Sequence, residues 1–140
     1  MSSDTAEPRF TVLIYSDDAN VRAAVRSALG RRPAADLPFV DYLECATEPM
    51  VIRHLDKGGI DLAVLDGEAV PSGGMGIARR MKTEIFNAPP VLLLTGRPED
   101  AWLATWSQAE AVVPHPLDPV LLAQAAAALL RPRAAIAARS

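Results

Sequence analysis

Cysteine is nearly absent from this chain of 140 residues: Cys45 is the only one. That excludes an intrachain disulfide and any cysteine cluster for zinc. Lying in an apolar run, Cys45 is expected to serve as a small core hydrophobe. No basic excess is present either, since the formal net charge is -3, which argues against generic nucleic-acid binding. Long apolar runs are missing as well. The longest candidate, 119–130, is alanine-rich and falls short of the ~20 residues a bilayer span needs. Residues 1–10 are polar, with Asp4 and Glu7 among them, unlike a secretory leader. Internal repeats are absent. These absences leave one soluble, cytoplasmic domain, half of it apolar and so able to build a core.

Present instead is an alternation of strand and helix patterns. Thr11-Val12-Leu13-Ile14-Tyr15 is a short apolar strand. Asp18 or Asn20 can cap a helix to Leu29, with Val21, Val25, Ala28 and Leu29 as its apolar stripe. Residues 39–45 form a second strand, and Thr47 caps a helix that Gly58-Gly59 stops. Residues 60–65 form a third strand, whose near-continuous apolarity suits a sheet covered on both faces. A glycine-rich loop leads into a third helix over 75–86. Pro89-Pro90 precedes a fourth strand over 91–94, Pro98 opens a fourth helix, and 111–113 is a weak fifth strand. Asp118 caps and Pro119 opens a last helix, expected to end near Leu130, with a frayed tail from Pro132. Five βα units predict an α/β fold, a parallel sheet with helices on both faces. The domain is expected over 10–131, after a disordered lead at 1–9 and before a flexible tail at 132–140.

The residues closing these strands carry the chemistry. Asp17 and Asp18 follow strand one, Asp66 follows strand three, Thr95 follows strand four and His115 follows strand five. If strands one and three are neighbours, three acids meet at the carboxyl edge of the sheet, where open α/β folds keep their sites. Crowded carboxylates repel, and a hard divalent ion such as Mg²⁺, or Mn²⁺, would relieve them. Taken singly, the Asp17-Asp18 pair also fits a helix cap and turn, Asp66 a turn, Thr95 a helix cap, and His115 a residue packed beneath Pro116.

Together these residues resemble the receiver domain of two-component response regulators, over about residues 10–131. The resemblance implies a flavodoxin-like (βα)5 sandwich with strand order 2-1-3-4-5. It matches Asp17-Asp18 to the acidic pair that holds Mg²⁺, with Asp18 and Asp66 as ligands and Asp17 in support. It matches Asp66 to the phosphoacceptor, Thr95-Gly96 to the hydroxyl and small residue that meet the phosphoryl group, and Gly74 to the glycine opening helix three. The Pro116 peptide bond would be cis. A histidine kinase or phosphotransfer protein would donate the phosphoryl group, and a protein effector would read it. The domain would be a signal carrier in a bacterial phosphorelay, not an enzyme. With only about ten residues after Leu130, a stand-alone domain is expected.

Four departures accompany the match. His115 replaces the usual lysine, Val112 the usual aromatic switch residue, and Pro71 lies one position late. Glu68 would crowd or extend the metal site. Lysine is a permanent charge on a long stem, whereas histidine is shorter and titrates near neutrality. His115 would therefore replace lysine in part. These departures also suit a degenerate receiver, a phosphorylation-independent interaction module. A small phosphohydrolase is a third reading, weakened by the absence of a cap. Trp102 and Trp106, four apart on helix four, together with Val112 suggest an interface. The resemblance implies homodimerisation through helix four, strand five and helix five. Arg79, Arg80 and Lys82 are expected to form a solvated helix face.

Overall fold

The computed structural model describes residues 9–70, 72–96 and 105–139, the last three without side chains. Residues 1–8 of the expected lead at 1–9, together with Pro71, Pro98 and Trp102, lie outside the described residues, while Arg9 is described and pairs with Asp41. Five strands, β1 (Phe10–Tyr15), β2 (Val40–Cys45), β3 (Leu62–Asp66), β4 (Val91–Thr95) and β5 (Ala111–Pro114), form one parallel sheet in the order β2-β1-β3-β4-β5. The helices are α1 (Ala19–Leu29), α2 (Glu48–Lys57) and α3 (Gly74–Glu84), then the described end of a fourth, α4 (105–107), and α5 (Pro119–Arg139). This is the flavodoxin-like (βα)5 sandwich.

Strand alternation divides the core in two. Val12, Ile14, Leu62, Val64, Leu92 and Leu94 point to one face and pack with Val25 and Leu29 of α1 and Leu122, Ala126 and Leu130 of α5. Leu13, Ala63, Leu65, Val91 and Leu93 point to the other and meet Val51 and Leu55 of α2 and Ile77, Ala78 and Met81 of α3. Every residue of β3 and β4 is buried, as expected of central strands covered on both faces. Each large side chain fully buried here contributes about 1.5–3 kcal/mol. Cys45 is buried with them; burial pushes its thiol up to about 11.

Capping follows the sequence. Asp18 Oδ1 accepts from the Asn20 amide at 2.8 Å to start α1. Thr47 accepts from the Met50 amide to start α2, and Gly58, at φ 76°, ends it in a conformation that favours glycine. Asp118 Oδ1 accepts from the Val120 and Leu121 amides at 2.9 and 3.2 Å to start α5.

One end differs from expectation. α5 does not stop near Leu130 but continues through Pro132 to Arg139. An interior proline costs a helix about 3 kcal/mol. Three tertiary contacts hold the turns around it: Arg131 pairs with Asp36 at 2.9 Å, Arg133 with Asp61 at 3.1 Å, and Ala134 packs on the core. Asp61 also accepts from the Thr11 amide at 2.8 Å, tying these last turns to the start of the sheet. Among the described residues, no helix is long and apolar enough to cross a membrane.

Candidate functional site

Sheet register sets the site. Tyr15 pairs with Leu65 across β1 and β3, so the next residues, Ser16 and Asp66, stand level. Both are buried, at 0% and 3% exposure. Ser16 Oγ donates to Asp66 Oδ2 at 2.7 Å and accepts from the Asp18 amide at 3.0 Å. The second oxygen of Asp66, Oδ1, accepts from the Glu68 amide at 2.9 Å. From the far side of the sheet, His115 Nε2 approaches Oδ1 at 3.4 Å. The buried carboxylate is thus met from β1, from its own loop and from the end of β5.

A cleft of about 370 Å³ opens above it, lined by Asp17, Asp18, Val21, Asp66, Glu68, Gly96 and His115. All the acids expected at the strand ends border this space. Two of them also have structural duties. Asp18 caps α1, as above, and Asp17 Oδ1 accepts from the Val70 amide at 3.2 Å, holding the loop after β3. Tyr15 assists by donating its hydroxyl to the Ser72 carbonyl. Its phenol is pushed up by burial and then by the negative charges of Asp17, Glu48 and Asp66.

Glycines let the walls close. A Cβ on Gly74 would lie 2.8 Å from the Asp66 carbonyl oxygen, so only glycine lets α3 begin against the end of β3. A Cβ on Gly96 would lie 2.2 Å from Glu68 Oε1, which places the Glu68 carboxylate directly over Gly96. Thr95, the last residue of β4, is buried at 2% exposure and is not among the lining residues. Its carbonyl accepts from the His115 amide at 2.7 Å. The His115–Pro116 bond is cis.

Among the described residues, no group of three or more His, Cys, Asp and Glu side chains is disposed to hold a metal ion. The donor chemistry nevertheless fits a hard divalent cation. Four carboxylates border one cleft, and among the described residues the imidazole of His115 is the sole basic side chain lining it.

The sequence pattern alone did not single out Ser16. A serine before two aspartates looks like a loop residue, yet counting both strands back from their ends would have set it opposite Asp66. Outside the cleft, Trp106 and Val112 are exposed at 46% and 38%. The Arg79 guanidinium lies 4.8 Å from the Trp106 ring centre. Arg80 pairs with Glu48 and Glu84, and Lys82 with Glu110, so this basic face is largely neutralised.

No family model matches the chain. It is 58% identical over 120 residues to a response regulatory protein of Mycobacterium tuberculosis, found in strains CDC 1551 / Oshkosh and ATCC 25618 / H37Rv. The match covers 86% of this chain and 90% of that protein. Among solved structures, the fold is similar to a Francisella response-regulator receiver domain, with TM-score 0.74, 14% identity, and coverage of 88% of this chain and 98% of that one. It is also similar to the BeF3-activated receiver domain of DrrB, a Thermotoga maritima protein, with TM-score 0.67, 21% identity and coverage of 88% and 98%.

Proposed function

The chain belongs to the response-regulator receiver family, and from that premise we propose that Asp66 is its phosphoacceptor. A receiver domain is a signalling module rather than a classical enzyme. Its chemistry is the transfer of one phosphoryl group onto its own carboxylate. The observation that carries the proposal is Asp66 itself, a buried carboxylate at the end of β3 that borders an acid-lined cleft.

In the proposed transfer, a carboxylate oxygen of Asp66 attacks phosphorus in line. The bond from phosphorus to the donor breaks, and its electron pair leaves with the donor, a histidine kinase or phosphotransfer protein. Ser16 holds Oδ2 at 2.7 Å and the Glu68 amide holds Oδ1 at 2.9 Å, fixing the plane of the carboxylate before the donor arrives. Asp18 and Asp66, with Asp17 in support and Glu68 beside them, would hold Mg²⁺ or Mn²⁺; the helix cap uses one Asp18 oxygen, Oδ1. When bound, the ion supplies positive charge against the phosphoryl oxygens. His115 stands on the opposite side to meet the transferred group, with Thr95 and Gly96 at the end of β4. The output is a protein contact, for which Trp106 and Val112 offer exposed apolar surface beside β5. Pairing of two copies through this face is the homodimer form of that output.

Acetyl phosphate with Mg²⁺ tests the reading. Intact-protein mass spectrometry should detect a phosphoryl adduct on the native chain and none on Asp66→Asn, because the amide is a poor nucleophile. An adduct that persists in Asp66→Asn moves the acceptor elsewhere.

A second reading keeps the fold and drops the chemistry: an interaction module that needs neither metal nor phosphate. It is favoured by the exposed Val112 and by His115 in place of a permanent cation. Calorimetric titration with Mg²⁺ separates the two, since absence of heat and of stabilisation at millimolar metal supports the module.

A further inference from the structure

A cleft larger than the one above Asp66 lies away from it, at the opposite end of the sheet. It measures about 560 Å³ and is lined by Arg9, Arg26, Arg31, Phe39, Asp41 and Tyr42, among others. It runs along β2, the edge strand, near the start of the strands. Asp66 sits at their finish, seven residues along the strands from the level of Phe39, or roughly 23 Å at about 3.3 Å per residue.

Guanidinium groups crowd this cleft and its rim; Arg32 is not among the lining residues but stacks on the same Phe39 ring as Arg31. The guanidiniums of Arg31 and Arg32 each lie 4.8 Å from the Phe39 ring centre, and that of Arg9 lies 6.0 Å away. Arg26 lies 5.2 Å from the Tyr42 ring centre. Aromatic faces attract these cations and steady long side chains that would otherwise move freely. The charge is only half compensated. Asp41 takes both forks of Arg9, at 2.8 and 3.0 Å, and Glu44 takes Arg26 at 3.0 Å. Arg32 donates to the Leu37 carbonyl, a neutral acceptor. Among the described residues, Arg31 has no carboxylate partner. Two adjacent guanidiniums thus carry surplus charge on a chain whose formal net charge is -3.

We propose that this cleft binds an acidic segment of a partner protein. Guanidinium forks match carboxylates in bidentate geometry. An exposed edge strand gives an extended segment a line to follow. Asp41 and Glu44 flank the surplus charge, so a short run of carboxylates fits where a long polyanion would meet repulsion. That contrast disfavours nucleic acid, whose phosphates repeat over a longer track. The site is independent of phosphoryl chemistry at Asp66.

Fluorescence anisotropy at low salt tests it, with a labelled extended peptide of alternating Glu and Ala as probe. An oligonucleotide of equal charge is the competitor class. The peptide should bind, and added salt should weaken it by screening. Arg31→Glu combined with Arg32→Glu should weaken it by about tenfold or more, as charge-assisted contacts become repulsions. The milder pair Arg31→Gln and Arg32→Gln should give a smaller loss in the same direction. Arg53→Glu, an exposed change on α2, should leave binding unchanged. Circular dichroism on each variant secures the fold. Absence of peptide binding by the native chain, binding unaffected by either double variant, or tighter binding of the oligonucleotide would each overturn the proposal.

Discussion

The two halves of the acid cleft are built differently. On the β1–β3 side, Asp66 is held by short bonds: 2.7 Å from Ser16 and 2.9 Å from the Glu68 amide, with Asp17 and Asp18 beside it. On the β4–β5 side, the side-chain approach to Asp66 is the 3.4 Å contact of His115. Thr95 is buried and outside the cleft lining, and Val112 is exposed where the family resemblance expects an aromatic. The β1–β3 half is tightly held, and the β4–β5 half is loosely attached to Asp66. On the proposed reading, acceptance of a phosphoryl group at Asp66 and its conversion into a shape change would rest on separable sets of contacts. A small change on the first side should cost stability and chemistry together. A change on the second should alter mainly the response to the phosphoryl group.

The largest expected effect is Gly74→Ala. Its Cβ would meet the backbone of Asp66 at 2.8–2.9 Å, and neither the strand nor the helix start can yield cheaply. Urea denaturation should show a loss of about 2–4 kcal/mol, in the range of overpacked or strained sites. A loss below about 0.5 kcal/mol would contradict the close approach of β3 and α3. Next is Ser16→Ala, which removes a hydrogen bond to a buried carboxylate and should cost about 1.5–3 kcal/mol. By calorimetric titration, Ser16→Asp should raise Mg²⁺ affinity by adding a carboxylate at the level of Asp66. Equal Mg²⁺ affinities across the three proteins would remove Ser16 from the site.

His115→Ala should cost less than about 1 kcal/mol in stability, because its contact is long and partly exposed. Its effect should fall on binding of a beryllofluoride mimic, with His115→Lys restoring or exceeding native affinity through a permanent charge on a longer stem. If His115→Ala destabilised the chain as much as Ser16→Ala, the contrast between the halves would fail. The smallest effect lies outside the cleft. The Arg131 guanidinium holds the Asp36 carboxyl below its usual range. The stability this pair contributes is present above the unfolded aspartate value near about 3.9 and is lost as pH falls through the lower folded value. Arg131→Gln should therefore match the native urea midpoint at low pH and fall slightly below it near about pH 6. An identical midpoint at both would mean that the pair does not anchor α5.

Much of this was legible in the chain. Val25 with Leu29, Ile77 with Met81, and the unbroken apolar runs of β3 and β4 announced alternating elements, because helical and strand burial leave different periods. The convergence of Asp17, Asp18 and Asp66 followed once β1 and β3 were neighbours. Three things did not follow. Ser16 was hidden because residue type alone does not reveal register. The double duty of Asp18 was half visible, since the same carboxylate serves as a cap and borders the cleft. The passage of α5 through Pro132 was opaque because local propensity forbids it and Asp36 and Asp61, far away in sequence, permit it.

Everything proposed for the cleft turns on the identity of the accepting side chain. Phosphoaspartate formed with acetyl phosphate and Mg²⁺ can be reduced with borohydride, which converts the modified residue to homoserine, and the position then read by peptide sequencing. Homoserine at position 66 alone, with label dependent on Mg²⁺, is the predicted result. Homoserine at Asp17, Asp18 or another carboxylate, with Asp66 unmodified, would contradict it.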